Sequence, residues 1–111
     1  MNFQEAYKYI EEQFNAIDLS KVDDDFTGII CLENKQKPSD NGHIYLSYIK
    51  GQKYIEPVKH NKANLVVTLS TNTLESIRNK QIKAFKAFST GQIKAKGNIF
   101  LALSIYKKLK S

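Results

Sequence analysis

The 111-residue chain has no tryptophan, one cysteine, one methionine and two prolines. The lone Cys31 cannot close an internal disulfide, which excludes a disulfide scaffold and fits a reducing compartment; the cytoplasm is the expected location. No apolar run approaches the roughly 20 residues that a membrane-crossing helix needs. Met1 to Glu12 is too polar for the core of a secretory signal. The last residues, Lys107 to Ser111, do not form the Ser-Lys-Leu address of peroxisomal import.

Chemistry-bearing patterns are equally scarce. His43 and His60 stand beside turns without the Cys/His spacing of a zinc site, so no metal is expected. Asp23, Asp24 and Asp25 lack the alternating oxygen ligands, glycine and distal glutamate of a calcium loop. No serine sits in a Gly-x-Ser-x-Gly elbow, and Cys31 falls mid-strand, where a buried inert thiol is expected. No phosphate-binding glycine loop is present either. The chain is therefore read as non-enzymatic, with no catalytic residue and no cofactor.

What the chain has in quantity is lysine, unevenly placed. Residues 1–34 carry 2 basic and 8 acidic residues, a net −6, whereas residues 35–111 carry 15 basic and 3 acidic, a net +12. The basic part suits an anionic membrane, nucleic acid, the chain's own acidic segment, or simple solvation. Arg78 is the sole arginine, which disfavours nucleic acid, because bidentate recognition of guanine or phosphate favours the guanidinium fork.

Length sets one domain, 1–111, able to bury roughly two-thirds of its unfolded surface. Phe3, Tyr7, Ile10, Phe14 and Ile17 alternate steps of four and three, predicting an amphipathic helix, and Asn2 with Glu5 has capping-box spacing. The period then falls to two. Strands are expected over 26–33 (with Gly28 as a bulge), 43–50, 53–59 and 63–70. Gly51-Gln52 is the turn, Pro57 marks a strand end or edge, and the series reads as an antiparallel meander. Asn72 with Glu75 suggests the cap of a second helix. Lys83 to Thr90 is helical, stopped by Gly91, and Gln92 to Lys96 is a fifth strand with Ile93 and Ala95 on one side and Lys94 and Lys96 on the other. Asn98 caps a last helix from Ile99 to Lys110. The fold class is α+β, a five-stranded, mostly antiparallel sheet covered by helices.

The last helix is apolar almost all round: Ile99, Phe100, Leu101, Ala102, Leu103, Ile105 and Tyr106 are interrupted only by Ser104. A small domain cannot bury every side of it, so one face is expected to meet another apolar body, either a ligand or a protein chain.

The run from Ala87-Phe88 through Gly91, Ile93-Lys94-Ala95-Lys96-Gly97-Asn98 and Leu101-Ala102 resembles the signature of the sterol carrier protein 2 family. Ala63 to Ser70 is similar to that family's fourth strand, and the order of elements also agrees. The chain departs from the family pattern at Ala84, Lys80, Ile44 and Ser47, where relatives often carry Pro, Gly, Trp and Asp. The resemblance implies a non-catalytic carrier that binds a hydrophobic small molecule (fatty acid, fatty acyl-CoA, sterol or phospholipid) in an apolar tunnel between the sheet and the C-terminal helices. Such a tunnel would gain about 0.8 kcal/mol per buried methylene. The expected lining is Ile77, Ile82, Phe85, Phe88, Phe100, Leu103 and Tyr106 from the helices and Leu46, Tyr48 and Val67 from the strands. Lys83, Lys86 and Lys94 are placed to meet an anionic headgroup, and transient contact with an anionic membrane is expected. Two alternatives compete: a nucleic-acid module stacking bases on Tyr45, Tyr48 and Tyr54 among Lys50, Lys53 and Lys59, and a protein-interaction module that buries the last helix.

Overall fold

A computed structural model describes residues 1–110, and the side chains of Tyr106, Leu109 and Lys110 lie outside what it describes. The elements are α1 (Phe3–Ala16), β1 (Phe26–Glu33), a short 3-10 turn (Pro38–Asp40), β2 (Gly42–Ile49) and β3 (Gln52–Glu56), followed by β4 (Leu65–Ser70), α2 (Thr71–Arg78), α3 (Ala84–Ser89), β5 (Ile93–Gly97) and α4 (Ile99–Lys110). No helix among the described residues is long and apolar enough to cross a membrane.

The five strands form one mixed sheet in the order β3-β2-β1-β4-β5. All neighbours are antiparallel except β1 and β4, which run parallel with Ile30 opposite Val67. The meander expectation therefore holds for β1 to β3 and fails for β4. Instead of pairing with β3, the chain crosses β2 and β1 through residues 57–64 and adds β4 on the far side of β1. His60 marks that path by stacking on Tyr45, with ring centroids 3.8 Å apart and 18° between planes. Pro57 follows the last residue of β3, an edge strand, as its missing N–H requires.

Strand alternation splits the sheet into two unlike faces. Register places Gly28, Ile30, Leu32, Ile44, Leu46, Tyr48, Ile55, Leu65, Val67, Leu69, Ile93 and Ala95 on one side. The opposite side carries Thr27, Cys31, Tyr45, Tyr54, Thr68, Lys94 and Lys96. The helices take the apolar face. Ala6 and Ile10 of α1 and Leu74 of α2 pack with Leu32, Ile44 and Leu69. A second cluster joins Phe14, Leu19, Val22 and Tyr48, with Phe26, Leu46, Ile55 and Ile105 against it. Leu32 and Ile44 are fully buried, each contributing about 2 to 3 kcal/mol of transfer free energy.

Most of the expected boundaries stand, but β3 stops at Glu56 rather than Lys59 and β4 starts at Leu65 rather than Ala63, and three further local readings change. Asn2 caps α1 by accepting the Glu5 N–H at 2.8 Å, and Asn98 accepts the Leu101 N–H at 3.0 Å. Helix α2 begins earlier than expected: its cap is Ser70, whose Oγ accepts the Thr73 N–H at 3.0 Å, so Asn72 lies within the first turn. The β2–β3 turn is Lys50-Gly51 rather than Gly51-Gln52. Gly28 makes no bulge; pairing runs through it without interruption, and its missing side chain admits Leu46. The end of α1 carries a feature that the sequence did not announce. The Lys53 ammonium donates to the carbonyls of Phe14 (3.0 Å), Asn15 (3.2 Å) and Ile17, satisfying helix-end acceptors and complementing the dipole.

Gly97 closes β5 with φ +104°, and a Cβ there would stand 2.3 Å from the Asn64 carbonyl oxygen. Gly91, at φ +83°, ends α3 in open space. Alanine at Gly91 is expected to cost about 1 to 2 kcal/mol through its backbone conformation alone. Alanine at Gly97 should cost more, on the order of 3 kcal/mol. Urea denaturation of the two variants compares them, and equal losses would show that the Asn64 contact imposes no constraint.

Candidate lipid-binding site

The apolar face is not covered evenly. Helices α1 and α2 fit closely over β1, β2 and part of β4, whereas α3 and α4 leave space over β4 and β5. A cavity of about 160 Å³ lies there, lined by Leu65, Val67, Ile93 and Ala95 from the strands, Phe85 and Phe88 from α3, and Ile99, Ala102 and Leu103 from α4. A second cavity of about 70 Å³ lies at the β1 side of α4, among Phe26, Gly28, Leu46, Asn64, Leu101 and Ile105. Leu65 and Ala102 border both. Helix α4 thus runs between two apolar gaps, with its smallest inward side chain at the partition.

Local sequence explains the arrangement. In β5 the alternation Ile93-Lys94-Ala95-Lys96 puts two apolar side chains inward and two lysines on the other face. Helix α3 turns Ala87 fully inward and leaves Phe85 and Phe88 at the cavity's edge. Gly97 and Asn98 reverse the chain, and the Asn98 N–H donates to the Asn64 carbonyl at 2.7 Å, fixing where α4 starts. Near the other end of α4, the Lys108 ammonium pairs with Asp24 at 3.2 Å.

The larger cavity is lined entirely by apolar side chains. The groups with displaced pKa values lie elsewhere. Desolvation, with help from Glu11, raises Tyr7; a hydrogen bond from Ser20 lowers Asp18; a hydrogen bond to Glu56 raises Tyr54. None of the three lines either gap. A broader open depression of about 500 Å³ on the opposite sheet face is lined by Glu33, Lys35, Thr68, Ser70, Lys94 and Lys96 among others, a charged surface unsuited to an acyl chain.

Of the expected lining residues, the structure brings Val67, Phe85, Phe88 and Leu103 together around the larger gap and places Leu46 in the smaller one. Tyr48 is buried in the second core cluster, its hydroxyl donating to the Leu19 carbonyl at 3.0 Å, and reaches neither gap. Ile77 packs on the first cluster, and Ile82 is half-buried before α3 without lining either gap. Phe100 is 86% exposed and points away from both. The Tyr106 side chain lies outside the described residues. Leu65, Ile93, Ala95, Ile99 and Ala102 line the gap without having been expected there; the Ile93-Lys94-Ala95-Lys96 alternation carried the signal for two of them. Tyr45, Tyr48 and Tyr54 do not form one stacking platform, since Tyr48 faces the core and Tyr45 is already stacked by His60.

A family model described as the SCP-2 sterol transfer family matches residues 11–110. The chain belongs to that family. None of the curated proteins matches it in sequence. Among solved structures, it is similar to palmitated SCP2L2 from Aedes aegypti (TM-score 0.75, 14% identity, 100% of this chain and 96% of that one). It is also similar to the apo form of sterol carrier protein 2 from Yarrowia lipolytica (TM-score 0.59, 21% identity, 97% and 86%). A third likeness is to the inverting sec-alkylsulfatase Pisa1 from Pseudomonas sp. (TM-score 0.57, 22% identity), covering 86% of this chain and 14% of that one. These likenesses show a shared α+β fold.

The placement of α4 predicts opposite outcomes for two acidic substitutions. Phe100→Asp should change stability by less than about 0.5 kcal/mol, as for an exposed position. Ile105→Asp, set against the Phe14–Tyr48 cluster, should cost about 2 kcal/mol or more. Urea denaturation separates them, and a large loss at Phe100 would place the opposite face of α4 on the sheet.

Proposed function

We propose that the protein is a non-catalytic carrier that holds the apolar part of a lipid between β4–β5 and α3–α4. The observation that carries this reading is the larger gap, in which nine apolar residues surround about 160 Å³ without a charged or polar side chain. Family membership supports the lipid class, and a protein of similar fold, SCP2L2 from Aedes aegypti, has been solved in palmitated form. A long-chain fatty acid or acyl ester is the ligand we favour.

The gap is smaller than the roughly 300 Å³ at which preformed small-molecule sites begin. Even joined, the two gaps stay below that size, so a long chain fits only if α4 also moves off the sheet at the Leu65–Ala102 partition. A dozen buried methylenes would supply about 10 kcal/mol of gross transfer free energy toward that movement. The residues proposed to touch ligand are Val67, Phe85, Phe88, Leu103, Leu46, Leu65, Ile93 and Ala102.

A second reading, that the domain presents a lipid to an enzyme, draws on the sulfatase likeness, in which the matched part is a small share of a longer chain. Both readings require the same cavity.

Ala102→Phe tests the proposal. The added ring fills the space at the partition while remaining apolar, so the fold should persist and uptake of a fluorescent long-chain fatty acid should fall by about tenfold or more, equivalent to at least 1.4 kcal/mol. Unchanged uptake by a folded variant would locate the ligand elsewhere, and absence of uptake by the parent protein would overturn the carrier reading.

A further inference from the structure

We propose that α3 and the first half of α4 form the surface by which the protein docks on an anionic lipid bilayer, a step that takes its purpose from the carrier reading above. Four of the eight large apolar side chains that stand exposed among the described residues belong to these two helices: Phe85 (51%), Phe88 (38%), Phe100 (86%) and Leu103 (40%). Phe85, Phe88 and Leu103 also line the larger gap, so the outer apolar surface continues into the interior. Phe100, Leu103 and Lys107 are spaced i, i+3, i+7 and share one face of α4.

Charge identifies the occupant. Residues 76–111 contain no aspartate or glutamate and nine basic residues. Lys83 and Lys86 are exposed on and beside α3, and Lys107 is exposed on α4, whereas Lys94 and Lys96 point to the opposite face of the sheet. Exposed aromatic rings bordered by lysines suit the boundary between headgroups and acyl chains, and each lysine adds attraction to anionic lipid. The other amphipathic helix, α1, has the opposite arrangement. It spends its apolar stripe on the core through Ala6, Ile10 and Phe14 and exposes Glu5 and Glu12, which an anionic surface repels. Docking through α3 and α4 would set the mouth of the gap against the bilayer, so that a lipid could pass between them without crossing water.

The chain has no tryptophan, so Phe100→Trp installs a sole indole reporter. On phosphatidylcholine vesicles containing phosphatidylglycerol, its emission should shift to the blue and be quenched by brominated acyl chains. Pure phosphatidylcholine vesicles should leave it unchanged. Gln13→Trp, on the exposed face of α1, should stay unquenched. Adding Lys83→Gln and Lys86→Gln to Phe100→Trp should weaken vesicle partition by roughly thirtyfold, and adding Lys107→Gln alone should weaken it by roughly fivefold while leaving fatty-acid uptake in vesicle-free solution intact. The proposal is overturned if the indole at position 100 ignores anionic vesicles, if the α1 reporter responds in its place, or if the blue shift grows with protein concentration without vesicles, which would mean that a second copy covers this face. Vesicle docking without fatty-acid uptake would sink the carrier reading and keep this surface. Uptake without docking would sink this surface alone.

Discussion

Asn64 ties the start of the sheet to the helix that roofs the cavity. Its side-chain oxygen accepts from the Thr27 N–H at 2.9 Å and from the Thr27 hydroxyl at 3.2 Å, and its own N–H donates to the Thr27 Oγ1 at 2.8 Å. Its carbonyl accepts from Asn98 at 2.7 Å, with Gly97 pressed so close that any Cβ there would force the backbone to shift. One residue at the end of the crossover thus fixes the first strand, the entry to β4 and the origin of α4. The position of α4, and with it the division of the apolar face into packed core and open gap, is held by that node at one end and by Ile105 against the Phe14–Tyr48 cluster toward the other.

The fold serves its site by being unequally sealed. A one-sided sheet must cover its apolar face, and over β1 and β2 it does so with close-fitting side chains from α1 and α2. Over β4 and β5 the cover is thinner. Helix α3 has only six residues and buries only an alanine, and α4 meets the strands through Ile99, Ala102 and Ile105. An empty apolar gap forfeits dispersion contacts that a filled core would have. Under the proposed carrier role, an apolar ligand would restore them. The same thin cover leaves phenylalanine rings in water.

Much of this architecture was legible in residue order, because amphipathic spacing, glycines and caps are local signals. Helix α1, β5 and the Gly97–Asn98 reversal could be read from such signals. The placement of β4 could not: a strand with Leu65, Val67 and Leu69 inward looks the same whether it pairs with β3 or crosses to β1, and the connection, where His60 stacks on Tyr45, carries no periodic signal. The Asn72 to Glu75 spacing suggested a cap for α2, but β4 runs directly into the helix, so the cap falls on Ser70, the last residue of the strand. The site was partly legible for a related reason. A helix apolar on nearly every side has no periodicity to say which side faces in, so Phe100 and Ala102 were indistinguishable until the Asn64 anchor set the rotation of α4.

The central claim is that a lipid chain enters the space between β4–β5 and α3–α4, and methyl-resolved NMR during titration with a long-chain fatty acid tests it most directly. The account predicts shifts at Leu65, Val67, Ile93, Ala102 and Leu103, with Leu32 and Ile44 of the packed core nearly silent. Shifts confined to the outer face of the sheet, around Val66 and Thr68, or no saturable shifts at all, would contradict it.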